Sequence, residues 1–403
     1  RTYLFDIKPQ VDGNNITEVY NTVKKLKQSI SKKPRPVLLE CMSFRMRGHE
    51  EASGTKYYPE GIQDEWAKKD PLKNFEKFLI RSEVISESEV EQMTHGIKSE
   101  INDALEIAYA EPEVRVETKI ELAGVYQNYE FNETQPKSES TSDKRLIDAI
   151  SDGLGQSMEK YDNLVVMGQD IAEYGGVFKV TEGFIERFGK DRVRNTPLCE
   201  SAIVGTALGL SINGFKAVME MQFADFVTCG FNQIINNLAK LNYRWGENAD
   251  VVVRMPTGAG VGAGPFHSQS NEAWFVHTPG LKIVYPAFPG EAKGLLAAAV
   301  EDPNPVLFFE HKALYRSISE DVPNDYYTTE IGKAATVKEG VDVSIITYGM
   351  GVHWAVDALK ELTEISADVI NLRTLLPLDT EAVFNSVRKT GRAIILHEDC
   401  LTG

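Results

Sequence analysis

The sequence predicts an α/β fold of doubly wound parallel sheets, followed by a second, partial α/β domain at the C-terminus. Two observations predict it. Helix-period and strand-period apolar segments alternate from residue 146 to 255 and again from 341 to 396, the order that yields a parallel sheet with helices on both faces. The first strand candidate, residues 36–41, is a continuous apolar run, as a parallel strand buried on both faces requires.

Taken in order, Ile16, Val19, Tyr20, Val23 and Leu26 fall at helical spacing within residues 16–30. The strand 36–41 follows, then helices over 71–81 and 87–110, the latter rich in Glu and Lys with a periodic apolar face. Residues 111–145 are polar, contain QPKSESTSDK, and read as a partly mobile linker. Beyond them come a helix over 146–160, a strand over 164–167, a small-residue helix over 201–214 closed by Gly214, a strand over 217–221, a helix over 230–245 and a strand over 251–255. The second unit begins near Val341 with VSIITYG, then a helix over 352–362, a strand over 368–372, a helix over 380–390 and a strand over 393–396. It stops short of a complete domain of that kind. No short-period repeat is visible.

Composition bounds function. With 403 residues, 42% hydrophobic and 25% charged, the chain can bury two or three ordinary cores. A net charge of −16 argues against nucleic acid or anionic membrane as partners. No apolar run reaches the roughly 18 residues of a membrane span, and no signal peptide is evident. Cys41, Cys199, Cys229 and Cys400 are far apart with no CxxC, so they read as reduced, buried thiols of a cytosol-like compartment rather than a secreted one.

The chemistry concentrates in a few segments. In RVRNTPLCE (192–200), Pro197 favours extended chain before it, which puts the carboxylate of Glu200 in the first turn of an apolar helix. Alone, that placement signifies no more than a partner for the helix dipole. In TGAGVGAGPFHSQ (257–269), Gly258, Gly260, Gly262 and Gly264 alternate before His267. The run faintly echoes a dinucleotide fingerprint, but Pro265 and FHSQS argue against the long helix that fingerprint needs. It reads instead as a loop that delivers His267 to a cleft. Taken alone, a histidine is more often structural, the Phe226 of MQFADF is a core aromatic, RMRGH (45–49) is a solvated basic turn, and DPNP (302–305) is a turn.

Several longer blocks, in order, carry more. GQDIAEYGGVFKVTEGF (168–184), RNTPLCE (194–200), EMQFADF (220–226), FHSQSNEAWFVHTPG (266–280) and EDPNPVLFFEHKALYR (301–316) resemble the β subunit of the thiamin-diphosphate-dependent 2-oxo acid dehydrogenases, the decarboxylating component. TPLCE, QFADF and HSQSNEAWF are closer to the branched-chain than to the pyruvate enzyme. PVLLECMSFRMRGHE (36–50) and DPLKNFEKFLI (70–80) resemble the C-terminal portion of the α subunit. The resemblance implies an α–β fusion cut at both ends. Residues 1–110 would be part of the α-type diphosphate-binding domain with its helical tail, 111–145 a linker, 146–332 the β-type pyrimidine-binding domain of transketolase-like fold, and 333–403 a partial transketolase-type C-terminal domain.

The resemblance further implies thiamin diphosphate and Mg²⁺ as cofactors. It assigns Glu200 to the pyrimidine nitrogen, Phe226 to stacking on the pyrimidine, Gln222 and Leu198 to the same pocket, and His267 to acyl transfer onto a lipoyl arm. Arg45 and His49 match residues near the diphosphate and thiazolium, where a guanidinium fork suits phosphate. Asp302, Asn304 and Ala299 match a structural K⁺ site. The family's Gly-Asp-Gly motif and Asn, which hold Mg²⁺, would precede Arg1, so no Mg²⁺ ligand is expected here and Val11-Asp12-Gly13-Asn14 is only an echo. Weak binding of the cofactor by this form is therefore expected. Glu50 stands where animal enzymes carry a regulatory phosphoserine, a departure that sets kinase control there in doubt. The partners implied are the lipoyl acyltransferase component, a second copy in a homodimer and a 2-oxo acid, in a bacterial cytoplasm or a mitochondrial matrix. Two other readings stay open, a transketolase-like sugar transferase and a non-catalytic assembly module of the complex.

Overall fold

The computed structural model describes residues 9–50 and 52–401, and the chain divides into two compact units, residues 1–115 and 116–403. Thr402 and Gly403, which end the C-terminal domain anticipated above, lie outside the described residues.

In the first unit, helix starts are written as caps. Asn15 accepts from the Glu18 amide ahead of Ile16–Lys32, and Asp70 from the Leu72 and Lys73 amides ahead of Pro71–Arg81. Ser86 and Glu89 form a capping box on Glu87–Ala110. All three helices fall where periodicity places them. The strand expected at 36–41 does not. It is Glu40–Met42, paired in parallel, among the described residues, only with Gln10–Asp12, and Leu38, Cys41 and Met42 are exposed. With one partner strand among the described residues, both faces of the strand are left uncovered and the apolar run lies open. Val11 is the only buried hydrophobic residue among those described in this unit, and Met93, Ile97, Ile101 and Leu105 form an exposed stripe on Glu87–Ala110.

The second unit is organised by a seven-stranded sheet in the order Thr374–Leu376, Lys282–Val284, Val306–His311, Val251–Thr257, Lys216–Glu220, Leu164–Gly168, Val193–Asn195. All pairings are parallel except that of Thr374–Leu376. Side-chain alternation sorts the strands into two cores. Val165, Met167, Met219, Val253 and Leu307 pack with Ile203, Val204 and Ala207 of the helix Glu200–Ile212. Val166, Val218, Val252 and Phe308 pack with Leu154 and Leu295 of the helices Leu146–Lys160 and Pro289–Glu301. Helices thus cover both faces, as the doubly wound expectation requires.

Two expectations fail locally. The helix expected at 230–245 is broken into a 3₁₀ turn, Ala224–Gly230, a π turn, Gln233–Leu238, and a short helix, Leu241–Trp245. Here side-chain amides bond one another, Asn236 to Asn232 at 2.8 Å and Asn237 to Gln233 at 2.5 Å. The chain at Gly280 also presses on Ala239, where a Cβ would fall 1.8 Å from the carbonyl oxygen. The supposed mobile linker is tied down over most of its length. Tyr126 donates to the Leu281 carbonyl, Gln127 and Asn304 exchange two hydrogen bonds, and Thr141–Arg145 pairs antiparallel with Ser319–Pro323. Its polarity serves hydrogen bonding to the domain surface, not solvation.

The C-terminal residues form a four-stranded sheet, Ala335–Lys338, Ala367–Asn371, Val343–Thr347, Ala393–Ile395, with helices Met350–Glu361 and Thr380–Thr390. Among the described residues no helix is long and apolar enough to cross a membrane.

Candidate functional site

Parallel strands bring their following loops to one edge, where α/β folds place ligands. Leu164–Gly168 delivers Gln169 and Asp170, Val193–Asn195 delivers residues 196–200, Lys216–Glu220 delivers Gln222 to Phe226, Val251–Thr257 delivers the glycine loop with His267, and Val306–His311 delivers Lys312.

Glu200 opens its helix at 8% exposure. One carboxylate oxygen accepts from Gln169 Nε2 at 3.1 Å. The residue lines a cleft of about 660 Å³ with Cys199, Ser201, Gly205, Cys229 and Gln233. The neighbouring residue Asp170 receives a long hydrogen bond of 3.4 Å from Gln222, so the pair 169–170 touches both Glu200 and Gln222. Leu198 is 80% exposed on the approach to the helix.

His267 and Phe226 meet. Their ring centroids are 5.5 Å apart, edge-on, and Phe223 completes a trio at 4.7 Å from His267 and 5.7 Å from Phe226. Such edge-to-face contacts fix ring orientation as well as burying surface. Sequence reasoning did not single out Phe223; its position within QFADF was the available signal. It also passed over Gln169 and Lys312. The Lys312 ammonium is buried 5.7 Å from the Phe223 centroid with no hydrogen-bond partner among the described residues. Burial pulls its pKa down to about 8, against the opposing pull of the Asp225 and Glu398 carboxylates.

Below the site, Arg254 is fully buried and donates to Glu220 at 2.6 Å and in bidentate fashion to Glu310 at 2.7 and 2.8 Å. Tyr315 donates to Glu310 as well. Burial pushes Glu220 up despite the guanidinium. This cluster joins three neighbouring strands beneath the loops.

In the first unit, Arg45 and His49 lie on the loop after Glu40–Met42, both exposed. The Arg45 carbonyl accepts from Tyr58 at 3.0 Å, and His49 Nε2 stands 3.5 Å from Ser53 Oγ.

The residues matched to a K⁺ site are otherwise engaged. Lys282 forms an ion pair with Asp302, Asn304 donates to the other Asp302 oxygen at 2.9 Å, and the Asn304 carbonyl oxygen accepts from the Gln127 amide at 2.7 Å. Ala299 is buried in the helix Pro289–Glu301. The Asp302 and Asn304 side chains are thus engaged with Lys282, with Gln127 and with each other.

Comparison with known proteins matches residues 143–317 to the family described as transketolase, pyrimidine binding domain, residues 8–117 to dehydrogenase E1 component, and residues 332–403 to transketolase, C-terminal domain. The 2-oxoisovalerate dehydrogenase subunit beta of Bacillus subtilis is 48% identical over 261 residues, covering 64% of this chain and 80% of the relative. The pyruvate dehydrogenase E1 component subunit beta of the same organism is 46% identical, covering 63% and 79%. A mitochondrial 2-oxoisovalerate dehydrogenase subunit beta of Dictyostelium discoideum is 46% identical, covering 64% and 71%. A solved structure titled split gene transketolase, inactive beta4 tetramer, superposes with a TM-score of 0.55 at 23% identity, over 64% of this chain and 80% of that one. It shares the fold.

Proposed function

The chain belongs to the thiamin-diphosphate-dependent 2-oxo acid dehydrogenases, as α-type and β-type portions of the decarboxylating component joined in one polypeptide, and on that premise we propose that it decarboxylates a branched-chain 2-oxo acid and passes the acyl group to a lipoyl-bearing acyltransferase. The observation that carries the assignment of the site is Glu200, a buried carboxylate at a helix start, lining a cleft and held on one oxygen by Gln169. The branched-chain preference is supported by TPLCE, QFADF and HSQSNEAWF and by branched-chain relatives from several organisms.

The residues present suit the pyrimidine end of the cofactor. A carboxylate in a cleft can share a proton with a ring nitrogen, and the half-buried Phe226 offers an aromatic face. Thiamin diphosphate, when bound, supplies the electron sink for the pair left by departing CO₂. Glu200 then holds the proton at the pyrimidine nitrogen, and Gln169 fixes the carboxylate's direction. Gln222 and Leu198 are assigned to the same pocket. Arg45 and His49 are assigned to the diphosphate and thiazolium ends, with Mg²⁺ accompanying the diphosphate.

In the transfer step the acyl group and an electron pair pass to the dithiolane. Its S–S bond breaks, one sulfur becomes the thioester, and the other takes a proton. An imidazole can donate that proton near neutral pH, and His267 is assigned to do so. A homodimer is part of the proposal, supported by the exposed apolar stripe on Glu87–Ala110.

CO₂ release from 2-oxoisovalerate and from pyruvate, at saturating thiamin diphosphate and Mg²⁺, tests the reading. We expect 2-oxoisovalerate to be preferred, and E200Q to lower the rate by about a hundredfold or more while calorimetric binding of the cofactor persists. A preference for pyruvate would overturn the substrate assignment, and an unchanged E200Q rate the role of Glu200.

A further inference from the structure

The loop 258–269 carries His267, and a carboxylate holds each of its ends. Its neck is closed on itself, since Gly258 N donates to the Gln269 carbonyl at 3.1 Å and Thr257 Oγ1 donates to the same oxygen at 3.1 Å. At one end Gln269 N donates to Asp225 Oδ1 at 3.1 Å. Asp225 belongs to the 3₁₀ turn Ala224–Gly230, which also carries Phe226. At the other end Ala259 N donates to Glu398 Oε1 at 3.0 Å, across 139 residues of sequence.

The second Glu398 oxygen pairs with His311 Nε2 at 2.7 Å, on an imidazole only 1% exposed. That ring is the floor on which the loop lies. Gly258 has φ +82, and a Cβ there would fall 2.3 Å from His311 Nε2, so only glycine allows the backbone this close. Burial works against the Glu398 charge, but the His311 ring, the Ala259 amide and Lys312 together hold its carboxyl below the usual range. One carboxylate from the C-terminal segment therefore fixes both the loop and its floor.

We infer that Glu398 is a positioning residue for acyl transfer, acting on His267 through the Ala259 amide and the His311 ring. The inference rests on the assignment of His267 made above. It assigns to the C-terminal segment a task in the second half of the reaction and none in the first, because Glu200 and Gln169 make no hydrogen bond with this network among the described residues. A misplacement of about 1 Å at a proton donor is enough to cost a large factor in rate.

The experiment compares wild type, E398A, E398Q and H267A on the full chain. Amide hydrogen exchange is followed in peptides covering 258–269, and two reactions are measured, 2-oxoisovalerate decarboxylation with ferricyanide as electron acceptor and acylation of a lipoyl domain. In E398A the loop amides should exchange faster, and lipoyl acylation should fall about tenfold or more while the ferricyanide rate stays within about twofold. E398Q keeps an oxygen for the Ala259 amide and should recover part of the loss; it also serves if E398A does not fold. Unchanged loop exchange, or equal loss of both reactions, would overturn the role of Glu398. Full lipoyl acylation by H267A would instead overturn the assignment of His267, leaving loop exchange to decide whether Glu398 anchors it.

Discussion

A carboxylate buried without a cation can remain neutral, and Glu272 is placed to do so. It is 2% exposed, accepts from Tyr348 at 2.9 Å on one oxygen, and among the described residues has no hydrogen bond to the other. Burial pushes its pKa up to about 7, against the residue's own amide N–H and the Tyr348 hydroxyl, both of which favour the charged form. Glu220 and Glu310, by contrast, share Arg254. The folded protein holds the Glu272 proton more tightly than the unfolded chain does, so the stability Glu272 contributes is present below the ordinary glutamate range and is lost as pH rises toward 7. E272Q keeps an acceptor for Tyr348 and removes the titration. Denaturant melts should show it close to wild type at pH 4.5 and more stable at pH 8 by up to about 3 kcal/mol. Equal stability differences at the two pH values would show that the carboxyl is not kept neutral by folding. Nothing in NEAWF announces this residue. Its neighbour Tyr348 arrives from the loop after the strand Val343–Thr347, far away in sequence, as Gln169 does for Glu200 and Glu398 for the His267 loop, and partnerships of that range are invisible to local pattern.

Elements were legible where their ends are written in the chain. Asp70-Pro71, Ser86 with Glu89, and Asp379 ahead of Thr380–Thr390 each satisfy first-turn amides, and those helices begin where the caps say. The 230–245 stretch misled because its amide side chains bond along the helix and its backbone yields to the chain at Gly280. Residues 111–145 misled because polarity describes an anchored strap as well as a linker. Thr134 N donates to Thr328 at 2.8 Å, and Ser138 donates to Asp325 through its amide and its hydroxyl at 2.6 and 2.7 Å. Residues 112–117 have no regular structure. Brief trypsin treatment should therefore cut after Arg115 well before Lys137, since cleavage needs local opening of the backbone. D325A removes the acceptor for Ser138 and should speed the Lys137 cut about tenfold or more, the factor that the loss of a hydrogen bond to a charged group gives. Equal rates at Arg115 and Lys137 in the wild type would mean that the strap is open in solution.

At the scale of the whole 116–403 unit, the two sheets are joined rather than merely adjacent. Thr374–Leu376 leaves the C-terminal part to extend the seven-stranded sheet beside Lys282–Val284. Tyr285 N donates to the Arg373 carbonyl at 2.8 Å, Asn371 Nδ2 reaches both Glu291 oxygens at 3.1 and 2.9 Å, and Tyr348 reaches Glu272. A Cβ on Gly349 would fall 2.4 Å from the Tyr285 ring, so the two parts interlock at van der Waals distance. The alternation of strands and helices made both sheets legible in the sequence. The strand exchange was not, because TLL at 374–376 is too short to show a period. Interlocked parts should unfold together, and two tryptophans can report it. Trp274 lies against Phe231 beside the large sheet, and Trp354 sits on the helix Met350–Glu361 of the small one. In variants that keep one or the other as the only tryptophan, fluorescence melts should coincide within about 2 °C, the signature of one cooperative transition. N371A removes the bonds to Glu291 and should lower both midpoints together by about 1.5–2 °C, the shift that about 1 kcal/mol gives in a body of this size. A Trp354 transition that comes first, and moves alone in N371A, would mean that the C-terminal part folds independently, and that Glu398 reaches the His267 loop from a domain free to leave it.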